Sequence, residues 1–263
     1  MKRALLPIVS RQSDTLPGAL PENLAKSDCR FRQEQNGQSL IIFVRSPSDK
    51  QVKSRLAATL GGGFASDFYR SCAEHVIQET GRMQSGVQRY IFYASREERA
   101  VRRWLGHQFC FVAQSEGELG DRIEHAFDTV FSHGSEKAVI VATDVPDLTH
   151  DIMDKAIKAL DSCDLVIGPS HDGGYYLLGM KKLHRELFED IPWSTERVYS
   201  ETLLRVKANG LSSQVLPSLR DIDTEDDLRQ WLASRSYRDR WVDKLAQKWP
   251  LCVNLKEAQN ACL

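Results

Sequence analysis

The chain lacks the short signatures that would assign a common nucleotide or metal site at once. No Gly-x-Gly-x-x-Gly follows an apolar strand, which disfavours a dinucleotide fold of that kind, and no Gly-x4-Gly-Lys-Ser/Thr is present, which excludes a P-loop enzyme. Six cysteines (Cys29, Cys72, Cys110, Cys163, Cys252, Cys262) form no Cys-x-x-Cys pair and no Cys/His set with zinc spacing. They read as reduced, mostly buried thiols of a reducing compartment, the cytoplasm. No apolar run approaches the roughly 20 residues that span a bilayer, so no membrane span is expected. The formal net charge is −1, so there is no whole-molecule basic field and no nucleic-acid partner is expected. Internal repeats and low-complexity tracts are also missing.

What remains is an ordinary globular composition, 41% hydrophobic and 27% charged over 263 residues, long enough to bury a substantial core. Residues 1–37 mix Pro7, Pro17 and Pro21 with charges of both signs and no periodicity, and read as a poorly ordered leader. Its apolar run LLPIV is too short for a signal sequence, and Asp14, Glu22, Asp28 and Glu34 argue against a transit peptide. One α/β domain is expected over 38–234, with a helical tail over 235–263.

Within that domain strands and helices alternate. Short β-branched apolar runs predict strands at 39–44, 89–95, 109–114, 137–143, 164–169 and 175–180. Helical spacing predicts helices at 53–60, stopped by Gly61–Gly63, and at 64–80, 96–105, 121–131 and 150–160. Such alternation means βαβ units, a mostly parallel sheet and helices on both faces. The linker SHDGG between the last two strands is too short for a crossover, so one of them should run antiparallel. Further on, a helix is expected over 195–210, a short strand over 212–217 and a helix over 224–234 with Thr224 as N-cap and Asp227 completing a near capping box. In the tail, Tyr237, Trp241 and Leu245 share one face, which suits either docking on the core or a dimer or acidic-partner surface.

Ligands of open α/β sheets sit beyond the C-terminal strand ends. Asp144 stands there, at the end of VIVATD, although Pro146 also makes a simple turn plausible. The loop after the first strand carries Arg45, Lys50, Lys53 and Arg55 at a helix start, which suits a diphosphate. After the third strand, Gly117 and Gly120 permit close backbone approach and Arg122 begins a helix. Asp172-Gly173-Gly174 is a tight turn that brings Asp172 to the same edge. Asp221 and Asp223 precede the 224–234 helix, and Asp223 reads equally well as a ligand or as part of the capping cluster. Hard oxygens gathered at strand ends suit Mg2+ or Mn2+ bridging carboxylates to phosphates.

The ordered set VKSRL, EGELGDRI, ATDVPDL, GPSHDGGYYLLG, IPWSTERV and LRDIDTEDDL resembles, over about 39–232, a family of small GT-A-type nucleotide-diphospho-sugar transferases. These are encoded beside radical-SAM enzymes, some assigned to arsenosugar biosynthesis, and are similar in fold to molybdopterin and F420 cofactor nucleotidyltransferases. The resemblance implies a single-domain Rossmann-like GT-A fold and makes Asp144 a metal carboxylate; Asp223 is the second candidate ligand from its own place before the 224–234 helix. It matches Lys53 and Arg55 to the family's basic loop, Asp172, Gly173, Gly174 and Tyr175 to its Asp-Gly-Gly-Tyr turn, and Trp193 and Ser194 to its Trp-Ser-Thr. Two places depart from the pattern: Asp49-Lys50 stands for Pro-Gly, and Ala142-Thr143 for Gly-Ser.

The function so implied is metal-dependent glycosyl transfer from a nucleotide sugar to a small-molecule acceptor. Lys53 and Arg55 would neutralise the leaving diphosphate, and Asp172 would act as base toward an acceptor hydroxyl. Arg45, Gly120, Arg122, Gly173 and Gly174 would complete the nucleotide site, with Tyr175 and Trp193 lining the sugar or acceptor pocket. A nucleotidyltransferase, in which a phosphorylated metabolite attacks a nucleoside triphosphate and pyrophosphate leaves, would use the same residues. A non-catalytic binding or scaffold protein on the same fold, and a homodimer through the tail, are the remaining readings.

Overall fold

A computed structural model of the chain describes residues 37–46, 52–94, 98–234 and 240–249. Residues 1–36 of the leader, the departure at Asp49-Lys50, Tyr237 and three of the cysteines (Cys29, Cys252, Cys262) lie outside the described residues.

Seven strands form one sheet: β1 (Gln38–Val44), β2 (Val87–Tyr93), β3 (Cys110–Ala113), β4 (Lys137–Val141), β5 (Leu165–Pro169), β6 (Tyr175–Met180) and β7 (Ser213–Val215). Their order is β3-β2-β1-β4-β6-β5-β7. β6 is antiparallel to both β4 and β5, and every other pairing is parallel. The five-residue β5–β6 link brings the chain straight back as an antiparallel neighbour of β5, and β6 takes the place between β4 and β5.

The helices are α1 (Ser54–Leu60), α2 (Gly62–Thr80), α3 (Glu98–Leu105), α4 (Leu119–Ser132), α5 (His150–Ala159), α6 (Val198–Ala208), α7 (Glu225–Ser234) and α8 (Arg240–Lys248). Strand periodicity divides the core. Leu40, Ile42 and Val44 of β1 face Val76 of α2, Val101 of α3 and Met153 and Ala156 of α5. Ile41, with Tyr90 and Phe92 of β2, faces Ile123, Phe127 and Val130 of α4. Helices thus cover both faces of a mostly parallel mixed sheet, the single-domain α/β arrangement expected.

A third cluster lies beside the sheet. Phe64 and Phe68 of α2 pack with Leu228 and Trp231 of α7 and Leu245 of α8. Trp241 stacks on Trp231 with ring centroids 5.5 Å apart, and the Trp249 indole N–H donates to Asp67 at 2.8 Å. The glycine run behaves differently from its sequence reading. Gly61 ends α1 with φ 87°, but Gly62 and Gly63 already belong to α2. A Cβ at Gly63 would meet the Trp249 ring at 3.2 Å, so the missing side chain makes room for the indole.

α5 is tied to α2 by Glu79, which is 3% exposed and accepts the His150 backbone N–H at 3.1 Å and its Nδ1–H at 2.8 Å. Burial alone would raise the Glu79 carboxyl, but the His150 bonds and Arg82 hold it below 4.5. The bond to Glu79 in turn holds the His150 imidazole above 6.5. The Glu79 contribution is present above 4.5 and is lost as pH falls, whereas the His150 contribution is complete below 6.5 and is lost as pH rises through its elevated folded value. The stability difference between wild type and His150→Ala, measured by urea unfolding, is therefore expected to be largest between these two values and to shrink at alkaline pH.

Candidate active site

Above the C-terminal ends of β1 and β4 lies a cleft of about 780 Å³, lined by Arg45, Lys53, Arg55, Arg122, Asp144, Asp172, Gly174, Tyr175, Trp193 and Asp223 among others. They reach it from several separate connections: Arg45, Lys53 and Arg55 follow β1, Arg122 follows β3, Asp144 follows β4, Asp172 and Gly174 lie in the β5–β6 turn, Tyr175 opens β6, Trp193 follows β6 and Asp223 follows β7. β1 ends at Val44, so Arg45 is the first residue beyond it, and its backbone N–H donates to the Tyr69 hydroxyl at 2.8 Å. Thr143 ties the two strand ends together by donating to the Phe43 carbonyl at 3.1 Å. The sequence departure at Thr143 thus keeps a hydroxyl where one is used.

Lys53 precedes α1 with φ 52°, a left-handed conformation that costs a non-glycine residue about 1–2 kcal/mol. Its ammonium lies between two carboxylates, 2.8 Å from Asp144 Oδ2 and 2.5 Å from Asp223 Oδ1. The lysine side chain is 5% exposed, against 32% for Asp144 and 43% for Asp223. Burial would lower the lysine pKa, but the two aspartates overcome it and hold the group well above its ordinary value. Burial likewise would raise Asp144, yet the Lys53 charge and hydrogen bond, with help from Arg45, hold it below 3.8.

Asp223 is delivered by the chain after β7. Leu219 N–H donates to Pro169 O at 3.1 Å and Ile222 N–H to Asp144 O at 3.2 Å, which fixes this loop against the β4 end. The capping box of α7 is formed as expected: Asp227 accepts from the Thr224 N–H at 2.9 Å and Thr224 Oγ1 accepts from the Asp227 N–H at 3.1 Å. Asp223 contributes its backbone N–H to that cap and leaves its side chain for Lys53. Asp221 has a different environment. Burial, then Asp172, Asp144 and Asp223, push it up to about 7.

The remaining cations are open. Arg45 and Arg55 are exposed, and neither is paired with a carboxylate among the described residues. Arg122 donates to Gln114 Oε1 at 3.3 Å, and its pKa is lowered by burial and by the nearby Arg45 guanidinium. Two guanidiniums facing one cleft give that side of it a positive potential.

Two glycines act differently from the sequence reading. Gly120 is buried in α4, and a Cβ there would lie 2.3 Å from Trp193 Nε1. Its close approach is to the indole, which rests on the bare helix turn. Gly173, at φ 87°, would place a Cβ 2.1 Å from the Glu196 carbonyl oxygen, and its own carbonyl accepts the Tyr199 N–H at 2.9 Å. It lets the 194–199 segment close over the turn. Neither lines the cleft. Gly173→Ala is expected to lower the thermal midpoint by several degrees and to loosen Trp193, read as a fluorescence change, because backbone cannot yield as a side chain tip can.

Asp172 is exposed and its Oδ1 accepts from Ser170 Oγ and, at 2.9 Å, from the Gly174 N–H. Trp193 stacks on Phe188 with centroids 6.4 Å apart and meets Tyr175 edge-on at 6.4 Å. Burial raises the Tyr175 hydroxyl pKa despite its bond to Thr202, so the ring, not an ionisable oxygen, is what it offers the cleft. Sequence reasoning missed Tyr69 and Glu196, and gave Asp221 no role. Tyr69 carries no signal beyond an apolar helix face, and Glu196 becomes a cleft residue only through the fold over Gly173.

Among the described residues no group of three His, Cys, Asp or Glu side chains is placed to hold a metal, and no helix is long and apolar enough to cross a membrane.

Residues 77–195 match the model of a family described as an uncharacterized protein conserved in bacteria (DUF2064). No curated protein matches the chain. A protein of Desulfovibrio desulfuricans G20, provisionally named a nucleotide-diphospho-sugar transferase, has a similar solved structure: TM-score 0.77, 28% identity, 84% of this chain and 98% of that one covered. The 4-diphosphocytidyl-2C-methyl-D-erythritol synthase of Anaerococcus prevotii DSM 20548 shares the fold at TM-score 0.50 and 13% identity, over 73% of this chain and 93% of its own.

Proposed function

We propose that the protein is a nucleotide-dependent transferase that moves a sugar from a nucleotide-diphospho-sugar to a small-molecule acceptor. The observation that carries this reading is the Lys53 ammonium held by Asp144 and Asp223 in a cleft that also presents Arg45, Arg55 and Arg122. The likeness to the Desulfovibrio protein supports it. Arg45 and Arg122 bind the donor's phosphates. Lys53 and Arg55 neutralise the charge that develops on the leaving diphosphate, where removing one preorganised donor typically costs about 100- to 1000-fold in rate. Asp172 takes the proton of the acceptor hydroxyl. Gly174 shapes its turn, and Tyr175 and Trp193 give the sugar or acceptor an aromatic wall.

The donor chemistry fits a hard divalent ion, since two carboxylates already converge on one cation and substrate oxygens complete such shells. Asp144 and Asp223 would hold the Mg2+ or Mn2+, which when bound would polarise the diphosphate. The test is product analysis across nucleotide sugars and nucleoside triphosphates with either ion. Release of a nucleoside diphosphate from a sugar nucleotide is expected. Pyrophosphate release from a triphosphate would assign nucleotidyl transfer instead, and absence of any nucleotide-linked thermal shift would favour a scaffold.

A further inference from the structure

The titratable side chains around the cleft are segregated along the sheet. All its cations come from the β1–β3 half: Arg45, Lys53 and Arg55 follow β1, and Arg122 follows β3. All its acids come from β4 onward: Asp144 follows β4, Asp172 lies in the β5–β6 turn, Glu196 follows β6, and Asp221 and Asp223 follow β7. Because β1 and β4 are neighbours in the sheet, Lys53 and Asp144 meet at the seam. Beyond the seam Asp172 and Glu196 are exposed, and among the described residues no Lys, Arg or His lines the cleft there. Arg220, the cation nearest in sequence to Asp221, is turned to Asp227 at 3.4 Å.

We infer that the acceptor is an uncharged or amine-bearing polyol and not a phosphorylated metabolite. The inference rests on the transferase reading and gives it a substrate class. The donor's diphosphate belongs to the cationic half, so the acceptor is left with the acidic one. Carboxylates accept hydrogen bonds from hydroxyl and ammonium groups, and the Trp193 face suits the C–H side of a polyol ring. A phosphate group there would meet Asp172 and Glu196 with no cation lining that half of the cleft, the neighbouring Arg197 being paired with Glu201 at 3.1 Å, and like charges brought together without an offsetting cation are disfavoured. A metal on Asp144 and Asp223 would neutralise the seam and leave Asp172 and Glu196 as they are.

Two measurements test this. The first compares acceptors in matched sets, glucose and glucosamine against glucose 6-phosphate and glucosamine 6-phosphate, by nucleoside diphosphate release from the nucleotide sugar that the protein turns over. The unphosphorylated members are expected to stimulate release at least about tenfold more than their phosphates, a difference of about 1.4 kcal/mol. Glu196→Lys is expected to narrow that gap. Equal or greater stimulation by the phosphates, or none by the unphosphorylated members, overturns the inference. The second compares quenching by caesium and by iodide of the Trp193 fluorescence, taken as wild type minus Trp193→Phe. Caesium should quench several-fold more strongly, whereas equal quenching or a preference for iodide contradicts the charge division. If no sugar nucleotide is turned over but the caesium preference holds, the transferase reading fails while the charge division stands.

Discussion

Exchanging Lys53 for methionine is expected to move metal binding and turnover in opposite directions. The lysine ammonium occupies the point on which Asp144 and Asp223 converge, 2.8 and 2.5 Å from their oxygens. Any divalent ion using both carboxylates must displace it, so on the proposed reading the wild-type protein is expected to bind Mn2+ weakly until a nucleotide's phosphates draw Lys53 away. Without the ammonium that competition disappears. Nucleotide-free Mn2+ affinity, read by the loss of the free-ion EPR signal, should rise at least about tenfold in Lys53→Met, the equivalent of about 1.4 kcal/mol. Transfer should fall by about 100- to 1000-fold, because the charge proposed to neutralise the leaving diphosphate would be gone. If Mn2+ binding is unchanged while transfer is lost, the ion does not bind between these two aspartates.

The second large effect is on stability. Trp231 is 2% exposed, stacks on Trp241 and donates from its indole nitrogen to Asp147 at 3.1 Å. Asp147 belongs to the same loop as Asp144, so this one side chain joins the packing of α2, α7 and α8 to the segment that carries Asp144. Trp231→Ala should cost about 3–5 kcal/mol in denaturant unfolding, the usual range for emptying a buried tryptophan site. Trp231→Phe keeps most of the packing and loses the hydrogen bond, for a cost nearer 1 kcal/mol. A similar cost for both variants would mean that the bond to Asp147 dominates over the packing.

How much of this was legible depends on whether a feature is local. Strand ends are local, and the run VIVATD led directly to Asp144 at the cleft. The Thr224–Asp227 cap is local too, and formed. Asp223 was ambiguous because its two candidate partners lie at different sequence distances: the cap is four residues away, while Lys53 is 170 residues away and invisible to spacing. Gly120 and Gly173 were assigned to the ligand for a related reason. Glycine in a loop signals close approach without saying by what, and here the partners are Trp193 and the Glu196 backbone. Strand order was likewise beyond reach, since a short turn announces an antiparallel neighbour but not that β6 slots between β4 and β5. The division of charge along the cleft follows from that order.

The most direct measurement is a crystal of the protein with Mn2+ and a nucleoside diphosphate, read from the manganese anomalous signal and the phosphate density. The ion is expected between Asp144 and Asp223, with Lys53 turned to the diphosphate and the phosphates on the side of Arg45 and Arg122. Manganese bound elsewhere, or a diphosphate seated among Asp172, Glu196 and Asp221, would contradict that arrangement.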